Sequence, residues 1–324
     1  MKGKTNVAIT GSTASISSSL AAELCRDHRY ENVVFIDSDP PPIDDYKILF
    51  KPVDLMNPKS YEKKQEILES EKIGTLVHCA FTEVPSRTPQ LAHELETVGT
   101  MNVLSASARA KTQKIILYSR TFLYGAHGNN PQLLREHHPI RADRSFQFFA
   151  DKMDAERLLN EFATRHADAT VTILRVCPII GPRTDNVFTK MLSNLFVPVI
   201  AGFNPLIQLI HHLDAVRAFK IFCDNDFHGV YNVIGRGYMP LLTAIHLLGN
   251  IPVPVPEPVF NSFAGSLYSF HLSSLPEQMG SFLKYSFLAS GDKAAREAGY
   301  SAIYSIKEVI EDFYRYWARR FMEK

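Results

Sequence analysis

A turn of small residues at positions 10–15 separates an apolar segment, residues 7–9, from a segment with helical spacing. Free backbone N–H groups in such a turn and the positive end of a helix dipole together suit a pyrophosphate. Gly11 matches the first of the three glycines of a dinucleotide-binding turn, whereas Ala14 and Ser17 stand at the other two positions. The turn taken alone leaves two interpretations open, a nucleotide site and a simple tight connection.

An acidic residue at the end of the next apolar segment favours the nucleotide interpretation. Asp37 follows residues 33–36, and a carboxylate at that place accepts hydrogen bonds from the ribose hydroxyls of an adenosine. Asp39 and the prolines after it bring no basic residue that could hold a 2′-phosphate. The sequence therefore predicts NAD(H) as the cofactor in preference to NADP(H).

The elements that would position these residues alternate along the first half of the chain. Continuous apolar segments that alternate with helices are typical of a parallel sheet covered on both faces. We therefore predict an α/β fold with a doubly wound parallel sheet and a smaller C-terminal lobe. The predicted strands are residues 7–9, 33–36, 48–53, 76–80, 115–118 and 171–176, and the two long helices span about 89–110 and 149–166.

The second half has a looser pattern. We predict a Rossmann-type core over residues 1–181 and a smaller substrate or partner lobe with the C-terminal helix over residues 182–324. Strands at 208–211 and 230–233 are expected to return to the main sheet. Alternating prolines between 252 and 258 exclude a helix there. Ser305 and Glu308 form a capping-box pattern that should begin the last helix.

Composition excludes several classes of protein. The 324 residues include 35 Lys and Arg against 34 Asp and Glu, a balance that argues against a nucleic-acid binder. No apolar run reaches the about 18 residues of a membrane-spanning helix. The four cysteines are far apart in the sequence, so we expect buried thiols in a reducing cytoplasm. The two adjacent histidine pairs lack the spacing of metal ligands, so we expect no metal site.

In order and spacing, these motifs resemble the extended short-chain dehydrogenases/reductases, the NAD-dependent epimerase/dehydratase family. The resemblance covers nearly the whole chain and rests on Thr10-Gly11, Asp37, Asp54-Leu55, residues 77–80, 98–104, Tyr118-Ser119, Tyr124-Gly125, Arg175, Gly181-Pro182, His211, Asp214 and residues 231–233. It implies NAD as cofactor. The residues it implies for cofactor binding are Gly11, Ser12, Thr13, Ile16, Asp37, Asp54, Leu55, Ala80 and Lys152.

The catalytic positions depart from the pattern of that family. The family uses a tyrosine as the general acid/base, a lysine four residues later, a serine or threonine, and an asparagine. Lys152 is present, but Phe148, Arg120 and Glu96 stand at the tyrosine, serine and asparagine positions, and a phenylalanine has no proton to exchange. The candidate catalytic residues that remain are Lys152, Thr121 and Tyr124, and His127 on a nearby segment is a further candidate acid/base.

Two functional hypotheses follow. The first is an NAD(H)-binding protein that has lost standard hydride transfer and acts in binding or regulation. The second is an active NAD-dependent oxidoreductase or epimerase/dehydratase with a non-standard proton relay. Because a lone buried charge is costly, we also predict that Glu96 and Arg120 pair with each other beside Phe148 and Lys152.

The expected partners are a small molecule and a second copy of the chain. An apolar ligand would suit the small lobe, whereas an acidic ligand would suit the positive charge of Arg120 and Lys152; neither a nucleic acid nor a membrane is expected. The resemblance implies a homodimer through the helices at 89–110 and around Lys152. The apolar lobe residues in question are Val255, Val259, Phe260, Phe263, Leu267 and Phe270.

Overall fold

The computed structural model describes residues 5–182, 184–262 and 276–322, with side chains described up to residue 317. Seven strands of this part of the chain form one parallel sheet in the order β11-β6-β5-β4-β1-β2-β3. The predicted doubly wound α/β sheet is thus confirmed. Its strands are β1 (Thr5–Thr10), β2 (Tyr30–Asp37), β3 (Ile48–Pro52), β4 (Ile73–His78), β5 (Lys114–Arg120), β6 (Thr170–Val176) and β11 (Gly229–Val233).

Helices cover both faces of this sheet and continue into the lobe. The α-helices are α1 (Ser15–Arg26), α2 (Tyr61–Ser70), α3 (Pro89–His93), α4 (Gly99–Arg109), α5 (Gln147–Arg165), α6 (Val187–Leu192), α7 (His212–Asp224), α8 (Leu241–Leu247), α9 (Asp292–Ala298) and α10 (Ile306–Met322). Residues 257–262 are also helical. A π-helical turn, Glu94–Val98, joins α3 to α4, and 3-10 turns occupy Pro58–Ser60, Thr121–Tyr124 and Glu277–Leu283.

The alternation of side chains along β1 explains why its strand sequence is continuously apolar. Val7 and Ile9 pack into a core with α1 and α7, whereas Ala8 packs into a second core with α2, α4 and α5. Successive strand side chains point to opposite faces, so a sheet covered on both sides buries every position. The carboxyl ends of the strands are therefore left as the open edge where a ligand can bind.

A third apolar core combines buried residues from 122–153 with buried residues from 180–313, and three two-stranded sheets occur among the described residues. They pair β7 (Ile179–Ile180) with β10 (Ile210–His211), β8 (Phe196–Ile200) with β13 (Ile251–Val255), and β9 (Leu206–Ile207) with β12 (Met239–Pro240). The predicted exclusion of a helix between residues 252 and 258 holds through residue 256, where β13 runs and ends. It was wrong for residues 257 and 258, which begin a helical segment. Phe263, Leu267 and Phe270, which we considered as part of an apolar lobe, lie outside the described residues.

Of the two predicted return strands, one reaches the main sheet. Residues 229–233 form its outer strand β11, paired with β6. The prediction was wrong for residues 208–211, because Ile210 and His211 pair with Ile179 and Ile180 in a separate short sheet. A two-residue strand is too short for its sequence pattern to identify the strand it pairs with, so the partner is decided by the packing of the folded chain. The division at residue 181 stays a prediction.

Several local features agree with the sequence. The Ser305 Oγ accepts the Glu308 backbone N–H at 3.3 Å, and the Glu308 carboxylate accepts the Ser305 N–H at 2.7 Å, which completes the capping box. The four cysteines are buried and free. No described helix is long and apolar enough to cross a membrane. The cytoplasmic location stays a prediction.

Candidate functional site

The turn between β1 and α1 brings the backbone close to the end of β4. Gly11 has a φ of +85°, and a Cβ atom at this position would lie 2.4 Å from both the carbonyl carbon and the oxygen of Cys79. Only glycine can adopt this backbone conformation and also lie this close to the backbone of Cys79. Ser17 stands where the family's third glycine would be, and its buried hydroxyl donates to the Gly11 carbonyl at 2.7 Å.

The start of α1 keeps donors for a ligand. The cap residue is Ala14, whose methyl side chain cannot accept a hydrogen bond from the first turn of the helix. No side chain at the cap position therefore competes with a ligand for the N–H groups of that turn. The first backbone N–H groups of a helix have no partner within the helix and carry the positive end of its dipole. The turn therefore presents the anion-binding arrangement that the sequence predicts.

Asp37 faces this turn from the end of β2. Its Oδ2 accepts the Ser12 backbone N–H at 2.6 Å and the Ser12 hydroxyl at 3.1 Å, and its Oδ1 accepts the Ser38 N–H at 2.7 Å. Each carboxylate oxygen has further lone pairs, so the group can still accept ribose hydroxyls. Ser12 itself is fully buried and holds the carboxylate in place.

A cleft of about 540 Å³ runs from this turn along the carboxyl end of the sheet. Among the predicted cofactor residues, Gly11, Thr13, Asp37 and Ala80 line it. The other lining residues were not among the predicted cofactor ligands, and most of them lie on irregular segments or on one helix face. These are Ala14, Ser15, Ser38, Asp39, Met56, Cys79, Phe81, Thr82, Glu83, Val84, Ser86, Leu91, Ala92, Leu95 and Asp185.

Five predicted cofactor residues do not line the cleft: Ser12 and Lys152, which bind Asp37 and Glu96, and Ile16, Leu55 and Asp54. Ile16 and Leu55 are 2% and 1% exposed and belong to the two cores that flank the sheet. The exposed Asp54 carboxylate accepts the N–H of Met56 at 2.9 Å, and it is Met56 that lines the cleft. Their assignment as cofactor ligands stays a prediction.

At the far end of the cleft, a π-helical turn carries Glu96 into the catalytic region. The wider turn over Glu94–Val98 interrupts an otherwise continuous helical stretch from α3 to α4. The Glu96 side chain is 1% exposed, and its backbone carbonyl accepts the hydroxyl of Thr100. A buried carboxylate thus lies at the position that the resemblance assigns to asparagine.

Glu96 binds Lys152, which stands at the position that the resemblance assigns to a lysine. The Lys152 Nζ lies 3.0 and 2.8 Å from the two carboxylate oxygens of Glu96, and the Thr82 N–H and hydroxyl donate to the same carboxylate at 2.8 and 2.5 Å. Nζ also lies 3.8 Å from the ring centroid of Phe148. Burial lowers the pKa of Lys152, and the nearby carboxylate opposes this shift.

Arg120 has a different partner. Its Nη2 donates to the Glu83 carboxylate at 2.7 Å, its Nη1 donates to the carbonyls of Tyr118 and Ser119, and its guanidinium lies 3.2 Å from the centroid of the Tyr118 ring. The predicted Glu96–Arg120 pair is therefore wrong, although both charges are buried and paired. Glu83 lies on an irregular segment, so the sequence held no signal that it would reach Arg120.

The other candidate catalytic residues do not line the cleft. Thr121 is 1% exposed, and its hydroxyl has no hydrogen-bond partner among the described residues. Tyr124 is fully buried and donates to the Asn232 side chain at 2.8 Å, and burial raises its pKa. His127 lies with its Nε2 3.0 Å from the Arg141 carbonyl. Their catalytic roles stay predictions.

Beyond Arg120 a second cavity is nearly filled. Its volume is about 20 Å³, which is on the order of a single water molecule. It is lined by Glu83, Tyr118, Arg120, Phe122, Pro178, Ile179, Asn186, Val187, Phe188 and Met279. No group of three or more His, Cys, Asp or Glu side chains within the described parts of the chain could hold a metal ion.

Comparisons with known proteins agree with this architecture. The chain is 26% identical over 316 residues to an uncharacterized protein of Mycobacterium tuberculosis, covering 95% of this chain and 83% of that protein. Its fold is similar to the UDP-glucose 4-epimerase of Thermotoga maritima with UDP-glucose, with a TM-score of 0.76, 17% identity, and coverage of 98% of this chain and 99% of that one.

A second similar structure is the UDP-glucuronic acid 4-epimerase of Bacillus cereus in complex with UDP-glucuronic acid and NAD. Its TM-score is 0.72 at 18% identity, covering 97% of this chain and 99% of that one. The model of the NAD dependent epimerase/dehydratase family matches residues 7–234, more than half of the chain. The chain therefore belongs to the NAD-dependent epimerase/dehydratase family, as the resemblance of its motifs implied.

Proposed function

We propose that this protein binds NAD(H) without the hydride-transfer chemistry of its family and acts as a binding or regulatory protein. The observation that carries the proposal is the pairing of Lys152 with both carboxylate oxygens of Glu96, beside Phe148 at the tyrosine position. A lysine held in this way is not free to position a ribose or to lower the pKa of a neighbouring phenol. Phe148 provides no phenol for it to act on.

The adenosine half of NAD fits the residues present. Gly11 permits the close approach of the turn, the start of α1 supplies amide donors, and Asp37 supplies acceptors for the ribose. No basic side chain lines the cleft among the described residues, which favours NAD over NADP. When bound, NAD would supply hydride-transfer capacity, and the residues of this chain would hold and orient the dinucleotide.

The remaining hydroxyls near Arg120 are poor proton donors and acceptors for catalysis. Burial raises the pKa of Tyr118 well above its usual value, so its phenol stays protonated at neutral pH. Efficient acid/base catalysis requires a group whose pKa lies near the working pH. The filled cavity beside Arg120 also leaves little room for a sugar.

The NAD site is tested by replacing Asp37. We expect Asp37→Ala to weaken NAD binding in calorimetry by about 1–3 kcal/mol, because the ribose hydroxyls and the Ser12 N–H lose an acceptor. Asp39→Asn is the matched control, since Asp39 contributes its backbone carbonyl to Ser12. Equal NAD affinity of Asp37→Ala and the wild type would show that Asp37 is not the ribose ligand. Tighter binding of NADP than of NAD by the wild type would contradict the proposal that NAD is the cofactor.

The loss of turnover is tested with the sugar nucleotides bound by the structurally similar proteins. We expect the wild type to bind NAD and to change neither nicotinamide absorbance nor the configuration of UDP-glucose or UDP-glucuronic acid. The alternative, an active enzyme with a non-standard relay, requires turnover in the wild type that Lys152→Met abolishes. A variant meant to restore the family's chemistry should combine Phe148→Tyr with Glu96→Asn, because Phe148→Tyr alone leaves Lys152 paired.

A homodimer through α3, α4 and α5 remains part of the proposal. Leu91 and Met101 on this helical surface are 55% and 49% exposed, which is consistent with an apolar contact there. We expect light scattering at micromolar concentration to give a dimer mass. A monomer mass would contradict the proposed assembly.

A further inference from the structure

The open cleft does not extend to the carboxyl ends of β5 and β6. In the main sheet, the strand order reverses between β1 and β4. A dinucleotide in a Rossmann-type fold crosses this point, with one nucleotide half on each side of it. The described lining residues come from β2, from the segments after β1, β2, β3 and β4, from α1, α3 and the π-helical turn, and from Asp185, and none of them lies on β5 or β6.

The protein itself covers the ends of β5 and β6. Arg120 at the end of β5 and Val176 at the end of β6 are both buried. The space beside Arg120 is about 20 Å³, against about 540 Å³ for the cleft. Phe188 of α6 lines this small cavity and belongs to the same apolar core as Phe122 and Phe148. The second half of a dinucleotide therefore has no open space on this side of the sheet.

The donors that border the closed side are bound within the protein. The Lys152 ammonium donates to the Glu96 carboxylate at 2.8 Å, and the Thr82 N–H donates to the same carboxylate at 2.8 Å. The Glu83 carboxylate accepts the Arg120 guanidinium at 2.7 Å. A ribose or a carboxamide at this place would compete with buried, charge-assisted hydrogen bonds, which are stronger than those of neutral groups.

The open side has groups that fit an adenosine diphosphate. The first N–H groups of α1 suit the pyrophosphate, and the Asp37 carboxylate suits the ribose. Met56, which follows β3, lines the same cleft and offers an apolar surface to a base. The cleft volume of about 540 Å³ is typical of a site for one small molecule.

We propose that the cleft recognises the adenosine diphosphate moiety alone and makes no specific contact with nicotinamide. The proposal rests on the proposed function in one respect, namely that NAD(H) binds at Asp37 and the start of α1. NAD, NADH and ADP-ribose all carry this moiety, so they compete for one site with similar affinities. The protein therefore does not distinguish oxidised from reduced dinucleotide.

The test is calorimetry on the full chain with four probes. ADP-ribose is the matched probe, because it has the pyrophosphate and both riboses of NAD without the nicotinamide ring. We expect NAD, NADH and ADP-ribose to bind with affinities within about fivefold of one another, since they make the same contacts. Nicotinamide mononucleotide, the other half of NAD, should not bind.

Two variants locate the contacts. Asp37→Ala should weaken NAD and ADP-ribose by the same factor, because both place the same ribose there. Glu96→Leu combined with Lys152→Met removes the buried pair without leaving either charge alone. Its ratio of NAD affinity to ADP-ribose affinity should stay within about fivefold of the wild-type ratio. If Lys152 holds the nicotinamide half, this double variant loses affinity for NAD and keeps affinity for ADP-ribose.

Four results would overturn the inference. They are NAD binding more than about fivefold tighter than ADP-ribose, a difference of more than about fivefold between NAD and NADH, binding of nicotinamide mononucleotide, and a selective loss of NAD affinity in the double variant. The same titrations separate the two proposals. NAD binding with much weaker ADP-ribose binding rejects this inference alone, whereas no binding of either ligand rejects the proposed function as well.

Discussion

Replacing Glu96 by leucine is expected to lower the free energy of unfolding by about 3–5 kcal/mol, the usual cost of leaving one partner of a buried ion pair alone. The Lys152 side chain is 2% exposed, and its ammonium would keep the face of the Phe148 ring and the favourable field of the Glu83 carboxylate but no hydrogen-bonded counter-charge among the described residues. The Thr82 N–H and hydroxyl would lose their acceptor as well. Urea denaturation of Glu96→Leu against the wild type measures the effect.

The matched control removes both charges. Glu96→Leu combined with Lys152→Met replaces the pair by apolar side chains of similar volume, and such replacements are often neutral or stabilising. We expect this double variant to recover most of the stability lost by Glu96→Leu. If Glu96→Leu alone is as stable as the wild type, Lys152 does not depend on Glu96, and the observation that carries the proposed function fails.

Gly11→Ala is expected to reduce both stability and NAD binding. A non-glycine residue at a φ of +85° costs about 1–3 kcal/mol from backbone conformation alone. The added methyl would also lie 2.4 Å from the Cys79 carbonyl, a backbone group that can move only by shifting the end of β4. We therefore expect a lower midpoint in urea and loss of measurable NAD binding in calorimetry.

Ala14→Gly provides the control for Gly11→Ala. Ala14 caps α1 with a φ of −62°, a conformation open to any residue, so this change removes a methyl group from the same turn without altering strain. Its unfolding free energy should stay within about 0.5 kcal/mol of the wild type, since glycine is an acceptable cap residue. NAD should bind equally or more tightly. Equal losses in the two variants would show that position 11 has no special requirement.

The features that could be read from the sequence are those set by neighbouring residues. Continuous apolar segments that alternate with segments of helical spacing predicted the parallel sheet. The spacing of Ser305 and Glu308 predicted the cap of the last helix. Asp37 was predicted as a ribose ligand, because it ends the apolar segment that follows the turn and the helix. That Phe148 stands four residues before Lys152, where the resemblance expects a tyrosine, was also visible in the sequence.

Tertiary structure alone decided which charges pair and which pockets stay open. Lys152 and Glu96 are 56 residues apart and Arg120 and Glu83 are 37 apart, so their pairing depends on how α5, β5 and an irregular segment pack. From the sequence one can infer that a buried charge needs an opposite charge beside it. The sequence does not show which of several opposite charges that will be. The position of Glu83, between a filled cavity and an open cleft, follows only from the folded chain, because contacts between distant segments leave no local periodicity.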